Sequence, residues 1–116
     1  MNYLVIGSKN SFEKEFVDEA MESLSLSNKN DSIMLTSSVP VEDHAAEFAY
    51  DNKIVLITED PDPGLHGNAA REYSLRKLAK NANAIILFYQ DKKDQILKVA
   101  EEIAKDFSLQ SFQFKA

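Results

Sequence analysis

Apolar residues fall along this chain in two rhythms. The stretches Tyr3–Ile6, Ser32–Thr36, Lys53–Thr58 and Ala84–Tyr89 are short and apolar at nearly every position, which suits strands of a parallel sheet buried on both faces. Lys53–Thr58, with Ile54, Val55, Leu56 and Ile57 inside it, reads as the clearest buried strand of the chain. Between these runs the apolar positions return at helical spacing. Phe12, Phe16, Val17, Ala20, Met21 and Leu24 predict a helix over 11–25, with Asn10 as N-cap and Glu13 as its acidic partner. Ala45, Ala46, Ala49 and Tyr50 predict a short helix over 42–50. Ala70, Tyr73, Leu75, Leu78 and Ala79 predict one over 68–81, and Ile96, Val99, Ala100, Ile103 and Phe107 one over 91–106. At the end, Leu109, Phe112 and Phe114 among polar residues predict a fifth strand, at a sheet edge, over 108–114.

The intervening segments are polar. Ser27–Asp31 is turn-like, Ser37–Val41 reads as a loop broken by Pro40, and Asp51-Asn52 ends the second helix. Glu59–Gly67 holds Pro61, Pro63, Gly64 and Gly67, a density that excludes regular structure from the expectation. Strands and helices alternate throughout with short links. The expected fold is a single Rossmann-like three-layer α/β/α sandwich over 1–116, with a mainly parallel sheet of about five strands.

Composition narrows the partners. A formal net charge of −6 disfavours phosphate backbones, so no nucleic-acid partner is expected. Lys77, Lys80, Lys92 and Lys93 are interspersed with acids and read as solvated helix faces. The absence of cysteine removes disulfides, thiolate metal sites and a cysteine nucleophile. No apolar run nears the roughly 18 residues of a membrane span, and the first residues lack signal-peptide features. The expectation is a cytoplasmic protein with no membrane partner. Phe112 and Phe114 on a terminal edge strand motivate a homodimer through that edge.

Ligands of open parallel sheets sit beyond the carboxyl ends of the strands, where strand order reverses. The loops at that edge are 7–10, 37–41, 59–67 and 90–94. Gly7 permits a tight turn, and Ser8 and Lys9 offer a hydroxyl and an ammonium for a phosphate at a helix start. Ser37 and Ser38 add hydroxyls from the second loop. Asn68 and Arg71 open the third long helix near the same edge, where Arg71 suits a carboxylate or phosphate. Neither a G-x-G-x-x-G nor a Walker A pattern is present. Asp60, Asp62 and His66 do not make a convincing metal set, and no metal is expected. His44, with Glu47 nearby, reads as a surface or capping residue rather than a base.

Taken together, these segments resemble the SLOG superfamily of Rossmann-like nucleotide-ligand domains, in particular its small YspA-type members. Leu4-Val5-Ile6-Gly7-Ser8-Lys9 stands where that family has a strand and a Gly-Ser-Arg-like turn. Asp43, followed by Ala46-Glu47-Phe48-Ala49, matches the family's second helix, whereas Ser37-Ser38-Val39-Pro40 replaces its glycine-rich run. Gly64–Gly67 and Arg71 are similar to the family's long loop and Arg-containing helix, and Ala82-Asn83-Ala84 to its Ala-Asp-Ala lead-in. The resemblance implies a nucleotide or nucleotide-derived ligand and a divergent member of the family.

Three functions compete. The first is a binding or sensing domain for a nucleotide-derived small molecule, contacted by Gly7, Ser8, Lys9, Ser37, Ser38, Asp43, Asn68 and Arg71. The second is a non-catalytic interaction domain that keeps the fold without the site. The third is a small nucleotide-processing hydrolase or transferase, which would need a carboxylate such as Asp43 or Glu72 in the crevice. No cofactor is specified by the sequence.

Overall fold

The computed structural model describes residues 1–116, Asn68 by its backbone alone. In chain order it contains β1 (Asn2–Gly7), α1 (Lys14–Ser23), β2 (Ser32–Leu35), α2 (Pro40–Asp51), β3 (Val55–Thr58), α3 (Pro63–His66), a 3₁₀ turn (Gly67–Ala69), α4 (Ala70–Ala79), β4 (Ala84–Tyr89), α5 (Gln95–Asp106) and β5 (Gln110–Lys115). The strands form one sheet in the order β3-β2-β1-β4-β5, every neighbouring pair parallel. This is an α/β fold consistent with a Rossmann-like sandwich.

Successive side chains of a strand point to opposite faces, and the two cores follow that alternation. Tyr3, Val5, Ile33, Leu35, Ile86 and Phe88 face α1 and α2, meeting Val17, Met21, Val41, Ala45 and Phe48. Leu4, Ile6, Met34, Ile85 and Leu87 face α4 and α5, meeting Leu75, Leu78, Ile96, Ala100 and Ile103. The three central strands are therefore apolar along their lengths, apart from Asn2 and Ser32 at the starts of β1 and β2, because both faces are covered.

Element boundaries depart from expectation where turn chemistry decides. Pro40 does not break structure; it opens α2 in the first turn, where its missing N–H costs nothing. Helix α1 starts at Lys14, with Glu13 rather than Asn10 in the cap position and no side-chain cap. The proline-rich segment does contain one regular turn, α3, whose Asp62 side chain accepts from the Leu65 N–H at 3.2 Å. Helix α5 begins at Gln95, capped by Asp94, whose carboxylate accepts from the Ile96 N–H at 2.9 Å.

The two sheet edges reverse their expected characters. Strand β3 is not buried: all four of its residues are exposed, with only Ile54 before it in the core. A strand read as buried from its composition lies at the edge, where α2 covers one face only in part and α4 packs across β1 and β2 on the other. Strand β5 is the opposite edge, as expected, but its apolar side chains turn inward. Phe112 packs on Tyr3 and Phe114 stacks on Phe88 with centroids 5.6 Å apart. The apolar motive for pairing copies at β5 is therefore missing, and the exposed apolar edge is β3.

Candidate functional site

Connections from β1 run outward through β2 to β3, and the chain then crosses to β4 on the other side of β1. The strand order reverses between β1 and β4, and their carboxyl ends diverge into a crevice there. A pocket of about 580 Å³ occupies it, within the size range of small-molecule sites. Ser8, Lys9 and Asn10 come from the loop after β1, Arg71, Glu72 and Leu75 from α4, and Asp94, Gln95, Ile96 and Val99 from the start of α5.

Ser8 is held by the sheet. Its N–H donates to the Phe88 carbonyl at 3.0 Å, which continues the β1–β4 ladder one residue past Gly7. The side chain is 1% exposed, and its hydroxyl has no hydrogen-bond partner. A buried hydroxyl without a partner carries a desolvation cost that a ligand atom can relieve.

Arg71 stands on the first turn of α4 and reaches back to β1. Its Nη2 donates to the Gly7 carbonyl at 2.6 Å, whereas its buried Nε has no partner. Burial lowers the affinity of the guanidinium for its proton, opposed by the charges of Glu42 and Asp94. The carbonyl contact fixes the side chain in the crevice with donor capacity left over.

The acids of the crevice are occupied. Asp94 spends an oxygen on the α5 cap, and Glu72 accepts from Arg76 Nε at 3.3 Å. Leu75, Ile96 and Val99 supply an apolar wall. Cationic donors at one end and apolar surface beside them suit a molecule with an anionic group joined to a ring or other flat apolar body.

The expected site residues divide into those that meet here and those that do not. Ser8, Lys9 and Arg71 come together in the pocket. Gly7 lies beneath it and has a packing role: a β-carbon there would stand 2.0 Å from Val41 Cγ1. Ser37, Ser38 and Asp43 do not line the pocket among the described residues. The side chain of Asn68 lies outside the described residues.

The loop containing Ser37 and Ser38 is organised by Glu42, a residue that no motif in the sequence singles out. Glu42 is fully buried. One of its oxygens accepts from the Thr36 N–H at 3.0 Å and the Thr36 hydroxyl at 2.8 Å, and the other from the N–H groups of Ser38 at 2.8 Å and Val39 at 3.0 Å. Ser38 donates its hydroxyl to Thr36 Oγ1 at 3.0 Å. These groups are committed to the start of α2. An acid three residues into a helix opened by Pro40 was the available signal.

Among the described residues, neither histidine lines the pocket and the buried Nδ1 of His44 has no partner. His44 Nε2 lies 3.1 Å from the Phe12 carbonyl, and His66 stacks on Tyr73 with centroids 3.7 Å apart. Among the described residues no cluster of His, Cys, Asp or Glu could hold a metal ion. No helix among the described residues is long and apolar enough to cross a membrane.

No family model matches the chain, and neither a curated protein nor a solved structure does.

Proposed function

We propose that this chain is a binding or sensing domain for a nucleotide-derived small molecule, held in the crevice between the carboxyl ends of β1 and β4. The observation that carries this reading is the pairing of two unsatisfied buried groups, the Ser8 hydroxyl and the Arg71 Nε, in one pocket. Ser8, Arg71 and Lys9 would take the phosphate, and Leu75, Ile96 and Val99 the base or ribose face. The resemblance to YspA-type SLOG domains points to the same ligand class. In that family the second loop carries a glycine-rich run; here it is closed around Glu42, so the phosphate contacts shift to the β1 loop and α4.

The test is a thermal-shift screen against mononucleotides, dinucleotides, cyclic nucleotides and ADP-ribose-type compounds, repeated with Arg71→Ala. A ligand that binds only the native state at 100 times its dissociation constant stabilises it by about 2.7 kcal/mol. The expected result is a dose-dependent rise with at least one phosphate-bearing compound, lost in Arg71→Ala. No rise with any compound, or a rise that Arg71→Ala leaves intact, would overturn the reading.

A further inference from the structure

Strand β3 is a short edge of four residues whose own sequence carries neither charge nor proline. Native edges are blunted by inward charges, proline, bulges or a covering element. Here Val55, Leu56 and Ile57 are 58%, 39% and 37% exposed, and no charge or proline interrupts 54–58. Register places Ile57 beside Met34, on the face that carries α4 and α5, and Leu56 beside Ile33, on the face that carries α1 and α2. Apolar surface therefore projects to both sides of the same edge.

The backbone of this edge is also free to pair. The Glu59 N–H donates to the Leu35 carbonyl at 3.2 Å. By the two-residue alternation of a strand, residues 55, 57 and 59 turn their polar groups toward β2. Leu56 and Thr58 consequently turn their N–H and C=O groups outward, as does the Ile54 carbonyl, while the Ile54 N–H is used by the Ala49 carbonyl.

The sequence of the edge is complementary to itself. Lys53 precedes the strand and Glu59-Asp60 follow it, with Ile54, Val55, Leu56, Ile57 and Thr58 between. An antiparallel pairing centred on Leu56 sets Val55 opposite Ile57, Ile54 opposite Thr58, and the basic start of each strand beside the acidic end of the other. The same register matches outward groups with outward groups: Leu56 exchanges both hydrogen bonds with its counterpart, and each Thr58 N–H meets an Ile54 carbonyl. Strand β5 has no such property, because its apolar residues face inward and its edge residues Gln110, Ser111 and Gln113 are polar.

We propose that a second copy of this chain is the partner of β3, joined about a two-fold axis at Leu56 so that two five-stranded sheets become one continuous sheet of ten. Lys53 opposite the Asp60 end, together with the matched apolar residues, selects the antiparallel orientation and the centred register; Glu59 is already held by Lys77 at 3.0 Å. The proposal is independent of the ligand reading, since the crevice lies between β1 and β4, away from this edge.

The absence of cysteine makes the register directly measurable. In a hydrogen-bonded antiparallel pair the facing α-carbons are about 5.5 Å apart, within reach of a disulfide. Leu56→Cys, oxidised mildly in the native state, is expected to give a covalent dimer, whereas Ser111→Cys on the opposite edge is expected to stay monomeric. Sedimentation of the unmodified chain across a concentration series should show a reversible dimer. Leu56→Lys should abolish it, whereas Leu56→Ala, which removes the same covered surface without adding a charge, should lower the thermal midpoint of the monomer by as much and still leave a folded chain. A chain that sediments only as monomer, a dimer that survives Leu56→Lys, or cross-linking through Ser111→Cys in place of Leu56→Cys would each overturn the proposal.

Discussion

Gly7 and Val41 are packed so closely that a β-carbon on Gly7 would fall 2.0 Å from Val41 Cγ1. The end of β1 and the start of α2 are in contact there, at the base of the candidate site. The expected consequence is that Gly7→Ala destabilises the protein by about 1–3 kcal/mol through overpacking. Val41→Ala added to Gly7→Ala should recover part of that loss, a coupling measurable as a double-mutant cycle in urea unfolding. Simple additivity of the two substitutions would show that the glycine serves something other than this contact.

Ser8 separates stability from binding. Its hydroxyl is buried without a partner, so Ser8→Ala removes an unsatisfied group and little packing. The free protein should be unchanged or stabilised by up to about 1 kcal/mol. Any compound found to bind through the crevice should lose affinity in the same variant. Clear destabilisation of the free protein by Ser8→Ala would mean that the hydroxyl is already satisfied.

Glu42 should prove far more important to folding than an acid on a helix surface. Its two oxygens take four hydrogen bonds from Thr36, Ser38 and Val39. Glu42→Gln leaves one oxygen as an acceptor and, in either orientation, turns an amide N–H₂ toward at least one backbone N–H that can only donate. A loss of about 3 kcal/mol in chemical denaturation is expected. A loss within about 0.5 kcal/mol, the range of ordinary surface substitutions, would contradict the described network.

Asp31 should give the protein an acid-sensitive contact. Its carboxylate accepts from the Ser27 N–H at 2.7 Å and from the N-terminal ammonium at 2.9 Å, and these bonds hold its pKa below the usual carboxylate value. The unfolded chain then takes up this proton before the folded one. The stabilisation is complete above the ordinary carboxylate pKa and disappears as pH falls through the lower folded value. At neutral pH, Asp31→Asn should cost about 1–2 kcal/mol. The two proteins should converge in stability on acidification, and parallel curves across that range would remove Asp31 from the pH response.

Periodicity in the sequence determined the layered α/β architecture. Buried strands read as unbroken apolar runs and covering helices as three-to-four spacing, because each element repeats its exposure along its own length. Strand β4 is read to the residue at both ends, and β1, β2 and the long helices to within a few residues. Ser8, Lys9 and Arg71 were also legible, since the carboxyl edge of a parallel sheet follows from topology and these residues lie next to it.

The tertiary structure alone decided the remainder. Whether an apolar run is central or peripheral depends on which strands flank it, so Val55–Thr58 carries the composition of a core strand and the exposure of an edge. Pro40 and Glu42 act through three-dimensional turn geometry in which a carboxylate gathers donors from the preceding loop, and their spacing alone does not say whether Ser37 and Ser38 serve a ligand or a helix start. The contact of Gly7 with Val41, and the meeting of Arg71 with the Gly7 carbonyl across 64 residues of chain, exist only once the helices are laid on the sheet. Local patterns record what a residue's neighbours in sequence require, and the pocket and the open edge are made by neighbours in space.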